Sequence, residues 1–262
     1  MSNPYIENAD RWLSIAEVDY LTLFVKAWIP FNAWYRNSYP LLKTDKAAID
    51  EIKSNPNVFR DKIISIINSA ETENIIIKGY ISDLHRILEN NYIPNSLNRV
   101  SFHKLVLERN PIQVKIEVKY SWTYKVELIY TGFSNYNISV IITDGNGSTK
   151  YTYSQNKYDV DDLERNINTT SLTSKQKEYL KKIYLEINPK KEISLITDKR
   201  EYISISGTKF INDDLKISKG VIEILYKLRC ILFHGELNPT KENQAAYKPA
   251  FYILKFLIQS LR

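Results

Sequence analysis

Apolar positions along the first third of the chain recur at helical spacing. Between residues 10 and 39 they fall at Trp12, Ile15, Ala16, Tyr20, Leu23, Phe24, Ala27, Trp28, Phe31, Trp34 and Tyr35. That face is wide enough for a central core helix, and Pro30 within it is expected to kink it or split it in two. Shorter helices are predicted at 45–54, 58–69 and 75–89, with breaks at Asn55-Pro56 and Ile93-Pro94-Asn95-Ser96. Residues 101–109 would add a further turn or two.

The period then drops to two. Val114, Ile116, Val118 and Tyr120 alternate with Lys115, Glu117 and Lys119, which marks a strand. Segments 125–130 and 138–143 are rich in β-branched and aromatic residues, and Asp144-Gly145-Asn146-Gly147 is a hairpin signal leading into 149–154. A small antiparallel sheet is therefore expected over about residues 112–154. A helix follows at 175–186. A second hairpin is predicted from 192–196 to 202–206, joined by Thr197-Asp198-Lys199-Arg200.

Helical spacing returns at Ile217, Val221, Ile224, Leu225, Leu228 and Leu232. Asp213 or Asp214 is placed to cap this helix at its start, and Gly235 stands where a C-cap glycine would end it near Phe233. A last helix is expected at 241–261. The fold class is thus α+β, a predominantly helical bundle with an inserted small antiparallel sheet. Its parts would be an N-terminal helical segment at 1–110, a β-rich insertion with one or two helices at 111–210, and a C-terminal helical segment at 211–262.

Composition removes several kinds of chemistry. The single cysteine, Cys230, allows no internal disulfide and no zinc-finger ligand set. The three histidines, His85, His103 and His234, form neither HxH nor HExxH, so no metal site is read. The seven glycines form no phosphate-binding loop. Residues 1–10 are polar, and the most apolar stretch, 20–35, is interrupted by Lys26 and Asn32. A soluble cytoplasmic protein without a signal peptide or membrane span is expected. The net charge of +6 favours polyanions in principle. Lysine dominates the basic residues beside abundant Ile, Asn and Tyr, so coding bias explains the charge about as well.

One segment carries candidate chemistry. In Leu228-Arg229-Cys230-Ile231-Leu232-Phe233-His234-Gly235-Glu236, four residues separate an arginine from a histidine. Arginine is a permanent cation that holds phosphate through paired hydrogen bonds, and histidine as a residue type moves protons near neutral pH. Together they suit RNA cleavage by a 2′-hydroxyl, with His234 handling the proton and Arg229 the charge on phosphorus. With ten arginines and three histidines in 262 positions, a given offset arises by chance roughly one time in ten. Five positions along an ideal helix also turn the side chains about 140° apart. They converge only if the helix ends near His234 or a second chain completes the site. The plain alternative is a C-terminal histidine on the helix dipole and an arginine ion-paired with Glu223, Glu236 or another helix.

Arg229 to Gly235, in a penultimate helix followed by another helix, resembles the HEPN superfamily of α-helical domains with an Arg-x4–6-His motif. The run Leu237-Asn238-Pro239-Thr240-Lys241-Glu242-Asn243 and the run Lys26-Ala27-Trp28-Ile29-Pro30-Phe31-Asn32-Ala33-Trp34-Tyr35 are similar to bacterial members. The resemblance covers about the first 107 and last 50 residues and leaves out the β-rich middle. It implies a metal-independent endoribonuclease with no cofactor, catalytic Arg229 and His234, and a homodimer that gathers two such pairs at one cleft. It also implies an RNA substrate and a role as toxin or anti-phage effector, with an antitoxin or defence-complex protein as partner. Family members often place Asn after the arginine, where this chain has Cys230.

Asn32, Tyr35 and Glu236 are auxiliary or cleft-lining candidates. A polar Asn32 among aromatics needs a partner and is as readily structural. His85 and His103 each read as isolated structural or exposed residues. Tyr120, Trp122, Tyr124, Tyr130, Tyr136, Tyr151 and Tyr153, beside Lys115, Lys119 and Lys125, could stack on single-stranded bases; strand propensity explains them equally. Two other functions fit the same residues. One is a non-catalytic HEPN-type module that binds RNA, nucleotide or protein, and the other is a structural subunit of a defence complex.

Overall fold

The computed structural model describes residue 9 and residues 18–261, apart from 96–97 and 133–134. The chain forms two compact units. Among the described residues, one comprises those up to Leu107 and from Ile193 onward; the other is Glu108–Glu192. Each has its own apolar core.

The first unit is mainly helical. α1 (Tyr20–Ser38) begins where Asp19 accepts a hydrogen bond from the Thr22 amide, and it buries Phe24, Ala27, Trp28, Phe31 and Tyr35 along one face. Pro30 does not split it. Pro30 and Lys26, whose carbonyl loses its helical partner to the proline ring, both lie on the exposed face, where water can serve the carbonyl. The part of this segment expected before residue 18 lies outside the described residues. α2 (Asp45–Ser54), α3 (Val58–Asn68) and α4 (Thr72–Asn90) follow, the first two capped by Thr44 and Asn57. A two-residue bridge pair, β1 (Pro94–Asn95) and β2 (Asn98–Arg99), comes next. Residues 101–109 are not helical; Leu105 instead pairs with Ile193 through both backbone hydrogen bonds.

The second unit is a meander of β3 (Val114–Lys119), β4 (Trp122–Tyr130), β5 (Tyr136–Thr143) and β6 (Thr149–Gln155), in that spatial order. α5 (Val160–Asn168) and α6 (Ser174–Glu186) complete its core. The sequence pattern had not marked α5. Tyr124, Val126, Leu128, Ile138, Val140 and Ile142 form the sheet's buried face. β3 turns its alternation outward, so that Val114, Ile116 and Val118 are exposed while Lys115, Glu117 and Lys119 are half-buried. Register explains this: Lys115 lies opposite Val126 and Glu117 opposite Tyr124, and residues opposite each other share a face. The two central strands choose the core side and the edge strand follows. Tyr120 and Ser121, both with positive φ, make the tight turn into β4.

The chain then returns to the helical unit. β7 (Tyr202–Ile205) pairs with β8 (Thr208–Ile211) across Ser206-Gly207, a two-residue turn with both φ positive. This corrects two expectations. The hairpin joins 202–205 to 208–211 rather than 192–196 to 202–206. It also belongs to the helical unit, whose core holds Leu195, Ile205 and Phe210, so the insertion ends before Ile193 and not at 210. α7 (Asp214–Phe233), capped by Asp213, is buried nearly all round. The expected last helix is divided into α8 (Lys241–Gln244) and α9 (Tyr247–Gln259). α9 packs on α1 and α4, and α7 on α2 and α3. None of the described helices is long and apolar enough to cross a membrane.

Candidate functional site

α2 meets α7 along a seam of charged side chains. At its inner end Lys53 Nζ lies 2.6 Å from Glu223 Oε2, with the two side chains only 2% and 8% exposed. Asp50 adds a contact to Lys53 at 2.8 Å, and Lys46 reaches both carboxylates. Burial alone would depress the Lys53 ammonium, but Glu223 and Asp50 outweigh it and hold it above the usual lysine range.

Toward the C-terminal end of α7, Arg229 Nη2 donates to Asp45 Oδ2 at 2.8 Å, with side-chain exposures of 17% and 18%. Its guanidinium also lies over the Phe233 ring, 4.6 Å from the centroid. Asp45 takes a second cation from α1, Arg36, at 2.5 Å, and Arg36 donates to the Leu42 carbonyl at 3.1 Å. One carboxylate thus holds two guanidiniums, leaving a local surplus of positive charge. Arg229 Nε–H is buried with no partner.

Tyr35 reaches the same cluster from α1. Its hydroxyl accepts a hydrogen bond from Asn32 Nδ2 at 2.5 Å. Burial foremost, then the Asp45 carboxylate, pushes its phenol up to about 12. Tyr226, one turn before Cys230 on α7, is also pushed up, by burial first and then by Cys230 beside it.

His234 is the residue that ends α7. Its amide still donates to the Cys230 carbonyl at 2.9 Å, while Gly235 takes φ +70°. The Gly235 and Glu236 amides then donate back to Leu232 and Ile231 at 3.3 and 3.0 Å, a glycine C-cap that closes the helix's free carbonyls. His234, Gly235 and Glu236 are all exposed. The helix does end where convergence required. Within one chain, however, no hydrogen bond joins Arg229 to His234, and the guanidinium is engaged by α2 and Phe233.

The structure therefore groups Asn32, Tyr35 and Arg229 in one cluster and sets His234 and Glu236 on the exposed cap next to it. Asp45 and Arg36 were missed in the sequence. Asp45 reads there as an ordinary acidic residue of a helix's first turn, and Arg36 as a basic residue of a last turn. Only their spatial meeting singles them out.

His85 and His103 are not isolated, since their rings lie 5.7 Å apart. Burial foremost lowers the His85 pKa, with His103 and Arg99 adding to it and Glu89 opposing. Among the described residues no group of three or more His, Cys, Asp or Glu is placed to hold a metal. Of the sheet aromatics only Tyr120, in the turn before β4, is largely exposed, with the Lys119 ammonium over its ring. Tyr124 is buried, and Trp122, Tyr130, Tyr136, Tyr151 and Tyr153 pack against the core under α5 and α6. Comparison with protein-family models, curated proteins and solved structures gave no match to this chain.

Proposed function

We propose that this chain is a metal-independent endoribonuclease of HEPN type, acting as a toxin or anti-phage effector. The observation that carries the reading is the end of α7. It carries a partly buried arginine, in a cluster with more cation than carboxylate, and, five residues on, a histidine on an exposed glycine cap. The guanidinium keeps donors that Asp45 does not use, and a phosphate is the ligand those donors suit. His234 removes the proton from a 2′-hydroxyl or supplies one to the leaving 5′-oxygen, while Arg229 stabilises the charge on phosphorus. The products are a 2′,3′-cyclic phosphate and a 5′-hydroxyl. A second copy of the chain supplies the facing Arg229–His234 pair in this reading.

The test is cleavage of labelled RNA by the purified chain, by His234→Ala and by Arg229→Lys, with and without chelator. Wild-type cleavage with cyclic-phosphate ends, untouched by chelator and lost in His234→Ala, is expected. Full activity in His234→Ala, or loss of wild-type activity on chelation, overturns the mechanism.

A second reading has an observation of its own, the Arg229–Asp45 ion pair, which already satisfies part of the guanidinium. In that reading the chain is a non-catalytic HEPN-type subunit that binds RNA, nucleotide or protein. Tight RNA binding without cleavage by the wild-type chain would select it.

A further inference from the structure

β3 is an edge strand of unusual form. Its only strand neighbour among the described residues is β4. It carries no proline, and its six residues keep unbroken register with β4. Edge strands are commonly blunted by bulges, prolines, brevity or inward-pointing charges; of these β3 has only the last, Lys115, Glu117 and Lys119 on the half-buried face. The opposite edge does carry an irregularity, a register shift at Ile142/Thr143 between β5 and β6. β3 instead presents Val114, Ile116 and Val118 at 44%, 55% and 67% exposure.

The hydrogen-bonding direction of each β3 residue follows from one observed bond. Leu128 N–H donates to the Gln113 carbonyl at 2.7 Å. Antiparallel ladders alternate between bonded and non-bonded pairs. Gln113, Lys115, Glu117 and Lys119 therefore spend their backbone groups on β4. Val114, Ile116 and Val118 aim their N–H and C=O groups at the open edge.

We propose that this edge pairs with β3 of a second copy of the chain, antiparallel and centred on Ile116. In that register Ile116 exchanges both hydrogen bonds with the second copy's Ile116, and Val114 does so with the second copy's Val118. The donors and acceptors used are those the open edge offers. On the other face Lys115 falls opposite the second copy's Glu117, and Glu117 opposite its Lys115, as non-bonded pairs whose side chains come closest. Shifting the centre by one residue in either direction breaks this. Centred on Lys115 the strands set lysine against lysine. Centred on Glu117 they set glutamate against glutamate, with Lys115 against Lys119. A register centred on Val118 also sets Glu117 against Lys119, but it draws the positive-φ turn residue Tyr120 opposite Ile116 and leaves Val114 without a strand partner. The Ile116 register is the one that is self-complementary in charge over the whole strand, which argues for its own copy as occupant rather than a foreign strand. Two sheets become one continuous eight-stranded sheet. The contact is small, so association is expected on the order of micromolar. It is independent of the ribonuclease reading, because it uses only Glu108–Glu192.

The test is amide exchange by NMR on the full chain, from about 1 μM-scale labelling controls up to millimolar samples. The amides of Val114, Ile116 and Val118 should exchange fast when dilute and slow progressively with concentration. Glu117→Lys, which sets lysine opposite lysine twice, should weaken that protection at least about tenfold in concentration. Combining Lys115→Glu with Glu117→Lys restores opposite charges and should restore the protection. Ile116→Pro removes an N–H that β4 does not use, so the sheet survives while the pairing is lost. Fast exchange at these three amides at every concentration overturns the proposal and leaves the edge to a foreign strand. So does protection that is equal in the wild type and in Glu117→Lys.

Discussion

The two ends of the α2–α7 seam use the same kinds of group to opposite effect. At the inner end Lys53 and Glu223 are sealed from water, and their charges balance against Asp50 and Lys46. At the outer end Asp45 faces two guanidiniums, the pair is partly wet, and the helix stops at an exposed histidine. A buried ion pair has its charges neutralised by each other and offers little to a ligand. An over-cationic, solvent-reached end has charge left for an anion. The cation–carboxylate contacts thus differ between the two ends in charge balance and in access to water.

The sharpest break of that contrast is at the sealed end. Glu223→Ala leaves the Lys53 charge buried without its main partner and should lower the unfolding free energy by about 3–5 kcal/mol. A urea titration showing less than about 1 kcal/mol lost would mean water reaches Lys53 and the two ends are alike. At the open end Asp45→Asn should cost about 1–3 kcal/mol by the same titration, because Arg229 and Arg36 can still be hydrated. A larger loss than that of Glu223→Ala would invert the ranking.

A third measure uses alkali. The Tyr35 phenol is raised in the folded chain from its ordinary value near 10 to about 12. The folded state therefore holds this proton more tightly than the unfolded state between those values. Its contribution is complete below pH 10 and is lost as pH rises through about 12. Tyr35→Phe should flatten part of the decline in denaturation midpoint over that window. An identical decline in the variant would remove Tyr35 from the cluster. The smallest effect is expected at the cap, where Gly235→Ala forces a side chain into positive φ and should cost about 1 kcal/mol. A neutral result in thermal unfolding would show that the cap bonds do not hold His234 in place.

Much of the helical unit was legible because its signals are local. The break at Asn55-Pro56 marks the end of α2, and Asp213 with Gly235 brackets α7. What escaped depended on neighbours. The alternation in β3 gives the period but not the face, which Tyr124 and Val126 on the next strand decide. The β7–β8 turn hid in Ser206-Gly207, beside a longer polar stretch that looked more like a loop. In the site, Arg229 and His234 stand out by their spacing. Asp45, 184 positions from Arg229, cannot be chosen from other helix-start carboxylates without the fold. Asn32 meets Tyr35 because both lie on one turn of α1, so that partnership was within reach of the sequence.

The Leu105–Ile193 bridge has a consequence for how the chain is assembled. It exchanges both backbone hydrogen bonds, which brings the two Cα atoms within about 5.5 Å. The polypeptide leaves the helical unit and re-enters it through what is, in effect, the mouth of a hairpin. Closing such a loop costs only a logarithm of its length, so the gateway is nearly indifferent to what hangs from it. The entire Glu108–Glu192 unit occupies the position that a two-residue turn would fill in a minimal protein. The helical unit's chain exit and return are held together by its own backbone pairing at Leu105 and Ile193, whatever the length of chain between them.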